Sequence, residues 1–157
     1  MSFKQWPHFF FLAALTLISL SAGSVQASSR SEVGQPKSAA VEFITVEELK
    51  SKIAKKERVT IIDVRSTDSF SSSDVTIKGA IHVKLRRLKS RLAFPPLKSV
   101  PRNGEVITYC ACPSDESSVR AAEVLIDAGF KRVRVLKGGW QEWMKVGGQV
   151  EQRPKPS

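Results

Sequence analysis

Two hydrophobic rhythms alternate along this chain. Short apolar, β-branched runs at Val41 to Ile44, Val59 to Asp63, Gly79 to Val83, Glu105 to Tyr109 and Val133 to Leu136 predict strands. Between them, apolar residues recur at helical spacing: Val46, Leu49 and Ile53, then Leu85, Leu88 and Leu92, then Val119, Ala122, Leu125 and Ile126. Thr45 followed by Glu48 reads as a capping box, with the threonine as N-cap and the glutamate reaching back. A helix from Ser118 to Ala128 is expected to stop at Gly129, and a short last one to run from Trp140 to Val146 after the turn Gly138-Gly139. Ser66 to Thr76 reads as a loop with a weak helical turn around Phe70. Pro95, Pro96 and Pro101 break regular structure between Phe94 and Asn103. Strand and helix alternate throughout, which predicts an α/β fold with a mainly parallel sheet.

The two ends follow different patterns. Lys4, the apolar stretch Phe9 to Leu20 and the small residues up to Ala27 read as a secretory signal peptide cut after Ala27. The apolar stretch is short for a membrane span, which needs roughly 20 residues. Residues 28–40 read as a flexible lead-in, 41–151 as one domain and 152–157 as a disordered tail. The expected protein is therefore exported, periplasmic or secreted.

Charge changes this picture little. The 157 residues hold 25 Lys and Arg against 15 Asp and Glu, a net charge of +10. The bases are spread over three segments and are not interleaved with aromatics, so nucleic acid is not the expected partner. A solvated basic surface is the plainer reading. The sharper one is a field that draws small anions or gives peripheral contact with an anionic membrane surface. Two cysteines and two histidines, with His8 in the signal segment, are too few for a zinc site. No metal or cofactor is expected, and no phosphate-binding glycine loop or serine-nucleophile elbow occurs. His82 reads as a structural side chain, and Trp140 and Trp143 as packing for the last helix.

The chemistry points to Cys110. It follows an apolar strand and precedes a helix, and in an open α/β sheet that crevice is where ligands bind. The loop Cys110-Ala111-Cys112-Pro113-Ser114-Asp115-Glu116-Ser117 is then placed to curl over the helix N-terminus, with Ser117 or Ser118 opening the helix. Main-chain amides there stabilise a thiolate, the reactive form of cysteine, and welcome an anion. Cys110 as a small buried hydrophobe is the alternative.

Several segments in order resemble the rhodanese domain family of single-domain sulfurtransferases. They are Ile61-Ile62-Asp63-Val64-Arg65, Asp68-Ser69-Phe70, Ile77 to Val83, Thr108-Tyr109-Cys110, Arg120-Ala121-Ala122 with Ala128-Gly129-Phe130, and Val133 to Trp140. The resemblance runs from about Phe43 to Val150. It implies a central parallel five-stranded sheet flanked by helices and a cysteine that carries a persulfide from a small anionic sulfur donor to a thiophilic acceptor. It also implies a supporting role for Asp63 and Arg65, and a Gly138-Gly139 turn packed near the cysteine loop.

The loop departs from the family pattern. Counted from Cys110 to Ala121-Ala122 it is about two residues longer than usual, whereas counted from Cys112 it has the usual length. Strand register thus favours Cys110 as nucleophile and helix register favours Cys112, which otherwise serves as a resolving thiol. We take Cys110 as the expected nucleophile on the strand match. The candidate substrate-binding residues are Ala111, Ser114, Asp115, Glu116, Ser117 and Arg120. Asp115 and Glu116 stand where the family has Gly and Arg, which works against binding thiosulfate. A phosphatase of related fold needs arginine six positions after the cysteine, and neither cysteine has one. Two other classes stay open: a redox-active Cys-x-Cys thiol/disulfide protein and a catalytically silent binding module.

Overall fold

A computed structural model describes residues 41–153; the expected signal segment, the lead-in and residues 154–157 lie outside the described residues. Five strands, β1 (Glu42–Ile44), β2 (Val59–Asp63), β4 (Ile81–His82), β5 (Glu105–Tyr109) and β6 (Arg132–Leu136), form one sheet in the order β1-β6-β5-β2-β4. Every pairing in it is parallel, as expected for an α/β alternation with helical crossovers. Among the described residues, no helix is long and apolar enough to cross a membrane.

Alternate residues of each strand enter two separate cores. Ile62, Val106, Val133 and Val135 face α3 (Leu85–Arg91) and α4 (Glu116–Asp127), where Leu88, Ala121, Ala122 and Leu125 are buried. Ile61, Ile107, Tyr109 and Leu136 face α1 (Val46–Ala54) and α5 (Gly139–Lys145), packing on Leu49 and Trp143. Both faces are covered, which is why the strands read as continuous apolar runs. A fully buried leucine such as Leu125 adds roughly 1.5–3 kcal/mol by leaving water.

Helix ends follow the sequence in part. Thr45 caps α1 by accepting from the Glu48 N–H at 3.2 Å, but the Glu48 carboxylate reaches across to Arg134 and not back to the cap. The charged partner on β6 displaces the reciprocal half of the expected box. Helix α4 begins at Glu116, earlier than expected. It ends as a Schellman motif: Phe130 N–H donates to the Leu125 carbonyl and Gly129 N–H to that of Ile126, with Gly129 at φ +90°.

Two segments differ from expectation. Ser66 to Thr76 is not mainly loop. Ser66 caps a short helix α2 (Thr67–Ser71), and β3 (Val75–Ile77) follows it. Gln152 does not belong to a tail, because β7 (Val150–Gln152) pairs antiparallel with β3 in a separate ribbon. Arg153 extends it, donating to the carbonyls of Asp74 and Ser73.

Candidate active site at the carboxyl end of the central strands

Strands β2 and β5 are neighbours at the middle of the sheet. After β2 the chain moves to one side, to β4, and after β5 to the other, to β6. Such a switch point leaves a crevice beyond the strand ends, and the cysteine loop fills it. Asp63 and Tyr109 end the two strands in register.

Beneath the loop lies a buried polar network. The Asp63 carboxylate accepts from Arg65 Nη2 at 2.7 Å, Arg65 Nε at 2.9 Å, the Tyr109 hydroxyl at 2.7 Å and Thr76 Oγ1 at 3.2 Å. Asp63 and Arg65 are 0% and 1% exposed. Burial pushes the Asp63 carboxyl up, but the nearby His82, 3.7 Å away, and the hydrogen bonds from Arg65 outweigh this and hold it at about 2. Burial and the Asp63 charge push the Tyr109 hydroxyl up, so it stays a donor. The Arg65 guanidinium lies 4.1 Å from the Trp140 ring centroid and 5.1 Å from that of Phe70. His82 stacks on Phe70 with centroids 3.6 Å apart. Trp143 is buried as packing for α5, whereas half-buried Trp140 covers the guanidinium.

The loop is clamped from above by the β6–α5 turn. Trp140 N–H donates to the Cys110 carbonyl at 2.8 Å, Gly138 N–H to Asp115 Oδ2 at 2.9 Å, and the Gln141 amide to the Ala111 carbonyl. Gly139 sits at φ +47°, and a Cβ there would collide with the Cys110 carbonyl. Asp115, at φ +56° and 7% exposed, points inward to this turn; it neither faces outward nor caps α4 with its side chain. Its left-handed backbone turns the carboxylate away from the cleft beside the cysteines.

Cys110 and Cys112 are joined as a disulfide across Ala111, with Cα atoms 5.7 Å apart. Their environments differ. Cys110 is 1% exposed, packed in the apolar core on the α4 side, and its Sγ accepts from Cys112 N–H at 3.4 Å; Ser118 Oγ lies 3.5 Å from it and donates to the Asp115 carbonyl at 2.7 Å. Cys112 is partly exposed, and its Sγ accepts from Ser117 N–H, in the first turn of α4, at 3.5 Å. A cleft of about 120 Å³ lies beside them, lined by Ser66, Ser69, Cys110, Ala111, Cys112 and Ser117. The expected ring of amides about Cys110 is not formed in this oxidised state: one main-chain amide reaches each sulfur, and Cys112 occupies the helix end.

The expected site residues therefore separate. Cys110, Cys112, Ala111 and Ser117 come together, whereas Asp63 and Arg65 belong to the buried network beneath the loop and do not line the cleft. Ser114, Glu116 and Arg120 are exposed and do not line the cleft, and Arg120 enters no ion pair among the described residues. Sequence reasoning gave no site role to Ser66, Ser69, Tyr109 and Gln141, although Ser69 and Tyr109 lie within the segments that carry the family resemblance and Ser66 precedes a helical turn as an N-cap. No cluster of His, Cys, Asp or Glu among the described residues is arranged to hold a metal ion.

The Rhodanese-like domain family matches residues 45–146, and the chain belongs to it. It is 29% identical over 91 residues to the thiosulfate sulfurtransferase GlpE of Coxiella burnetii, covering 58% of this chain and 77% of that protein. It is 26% identical over 107 residues to a sulfurtransferase of Allochromatium vinosum, covering 68% and 92%. It spans only about half, 49%, of the YrkF protein of Bacillus subtilis, to which it is 28% identical. Among solved structures, the Alr3790 protein from Anabaena sp. superposes with a TM-score of 0.59 at 31% identity, covering 70% of this chain and 82% of that one.

Proposed function

We propose that the protein is a sulfurtransferase that carries sulfane sulfur as a persulfide on its cysteine pair. The observation that carries this reading is the meeting of the only two cysteines of the chain at the carboxyl end of β5, against the first turn of α4, in a rhodanese-like fold. Reduction of the disulfide frees a thiolate. With thiosulfate as donor, that thiolate attacks the outer sulfur, the sulfur–sulfur bond of the donor breaks, and sulfite leaves with the electron pair. A thiol or cyanide then takes the sulfur. The α4 amide beside Cys112 and the basic surface favour an anionic donor.

Intact-mass measurement of the reduced protein after thiosulfate or polysulfide treatment tests this. Uptake of one sulfur per chain is expected, seen as added mass or as released sulfide, and neither when both cysteines are serine. No adduct and no turnover with either donor would end the sulfurtransferase reading. The disulfide itself favours a second one, in which the pair exchanges electrons with dithiols and never loads sulfur; rapid reduction with neither adduct nor released sulfide is its signature. We also propose export, from the pattern of residues 1–27. Amino-terminal sequencing of the protein from its host is expected to begin at Ser28, and recovery of an uncut chain in the cytosol would exclude it.

A further inference from the structure

We infer that the two cysteines divide the labour: Cys112 receives the sulfur, and Cys110 expels it as hydrosulfide, leaving the disulfide for a dithiol reductant. This rests on the sulfur-carrying reading above and goes beyond it by naming the acceptor class and the product.

The division follows from what surrounds each sulfur. Cys112 is the accessible one, and it has the α4 amide of Ser117 at 3.5 Å, a donor that steadies negative charge on the sulfur or on an incoming anion. Cys110 is 1% exposed beneath it, so a donor in solution meets Cys112 first. The buried thiol is nevertheless within bonding reach of Cys112, since the two are joined in this structure. Cys112 N–H points at Cys110 Sγ at 3.4 Å, so a thiolate there has a main-chain donor beside it, with Ser118 Oγ at 3.5 Å giving its proton to the Asp115 carbonyl.

The steps balance. The Cys112 thiolate takes the outer sulfur of thiosulfate and releases sulfite. The Cys110 thiolate attacks Cys112 Sγ, the Cys110–Cys112 bond forms, and the terminal sulfur leaves as hydrosulfide with the bonding pair and a proton. The two cysteine sulfurs are oxidised by two electrons and the sulfane sulfur is reduced by two. A dithiol then attacks the accessible Cys112 sulfur, passes through a mixed disulfide and leaves oxidised, restoring both thiols. In sum, thiosulfate and a dithiol become sulfite, hydrosulfide and a disulfide.

The experiment uses purified protein, reduced with dithiothreitol, freed of it without oxygen, and given thiosulfate labelled in its outer sulfur. Wild type is expected to release one equivalent of labelled sulfide per chain with no added thiol, and to end two hydrogens lighter than the reduced form. Cys110→Ala is expected to keep the added sulfur, and Cys112→Ala to load at least tenfold more slowly. With cyanide alone, wild type stalls in the oxidised form while Cys110→Ala continues to make thiocyanate; a dithiol restarts wild type. Wild type that holds its added sulfur and releases no sulfide overturns internal resolution while leaving sulfur carriage intact. Sulfur kept by Cys112→Ala and absent from Cys110→Ala overturns the assignment of roles. Absence of any adduct in all three proteins, with polysulfide as well, removes the underlying reading. The wild-type measurement stands even if a substitution in the buried position unfolds the chain.

Discussion

At the end of the sheet where the strands begin, the buried carboxylate is fully paired. Glu105 opens β5 with Lys52 at 3.2 Å, Arg132 at 3.4 Å and Arg134 bonded to its carboxylate, while Arg134 also holds Glu48 at 2.8 Å. Burial pushes the Glu105 carboxyl up, but hydrogen bonds from Arg134 and Lys52 win and lower it. At the opposite end, Asp63 is equally well served, yet the three buried side-chain atoms without a partner among the described residues all lie there: Arg65 Nη1, His82 Nδ1 and Asp115 Oδ1. Leaving such an atom unpaired costs about 1–3 kcal/mol. Where the strands begin, the buried carboxylate meets three bases; where they end, buried polar atoms stand unpaired around the cysteine loop.

Breaking the Asp63 end is expected to have the largest effect. Asp63→Ala leaves the Arg65 guanidinium buried without its carboxylate, and chemical denaturation is expected to show a loss of about 3–5 kcal/mol. Asp63 also dictates the acid response. Its folded pKa of about 2 lies below the ordinary aspartate value of 3.8, so its stabilising share, about 2 kcal/mol, is present above pH 4. That share disappears as pH falls from about 4 through about 2. The stability gap between wild type and Asp63→Asn, followed by denaturant titration at each pH, is expected to narrow over that window; a constant gap would refute the linkage.

Milder perturbations sharpen the contrast. Glu105→Gln keeps shape and hydrogen-bonding capacity while losing charge, and its partners reach solvent. A loss of about 1–2 kcal/mol is expected in the same denaturation assay, with sulfur loading unchanged. Arg120→Ala is expected to alter neither stability nor the KM for thiosulfate by more than about twofold, as for an exposed residue outside the cleft. A large rise in KM would return Arg120 to the site.

What the sequence disclosed and what it hid have separable physical causes. Strands β2 and β5 were legible because both faces are buried, so Val, Ile and Thr run together; in β6 Val133, Val135 and Leu136 gave the signal around Arg134. Gly129 and the Gly138-Gly139 turn were legible because each must take positive φ. Strand β3 was hidden: it has three residues, and its partner β7 lies more than seventy positions later with an exposed Val-Glu-Gln sequence. In the loop, counting residues could not decide between the cysteines, because strand and helix registers conflict. The structure explains the conflict: Cys110 belongs to the strand end and Cys112 to the helix end, with one residue between them. Arg120 misled because proximity along the chain says nothing about which side of a helix a base occupies. Asp115 misled because its left-handed backbone reverses the direction of its side chain.

The late β3–β7 ribbon sets a practical boundary. Thr76, whose hydroxyl lies 2.9 Å from that of Tyr109, is fastened by its pairing with Glu151. A truncation at residue 146, where the family match stops, would sever that fastening and loosen the floor under the cysteines from behind. Anyone trimming this protein to a minimal unit should keep the chain through Arg153, or risk mistaking an unhinged domain for an inert one.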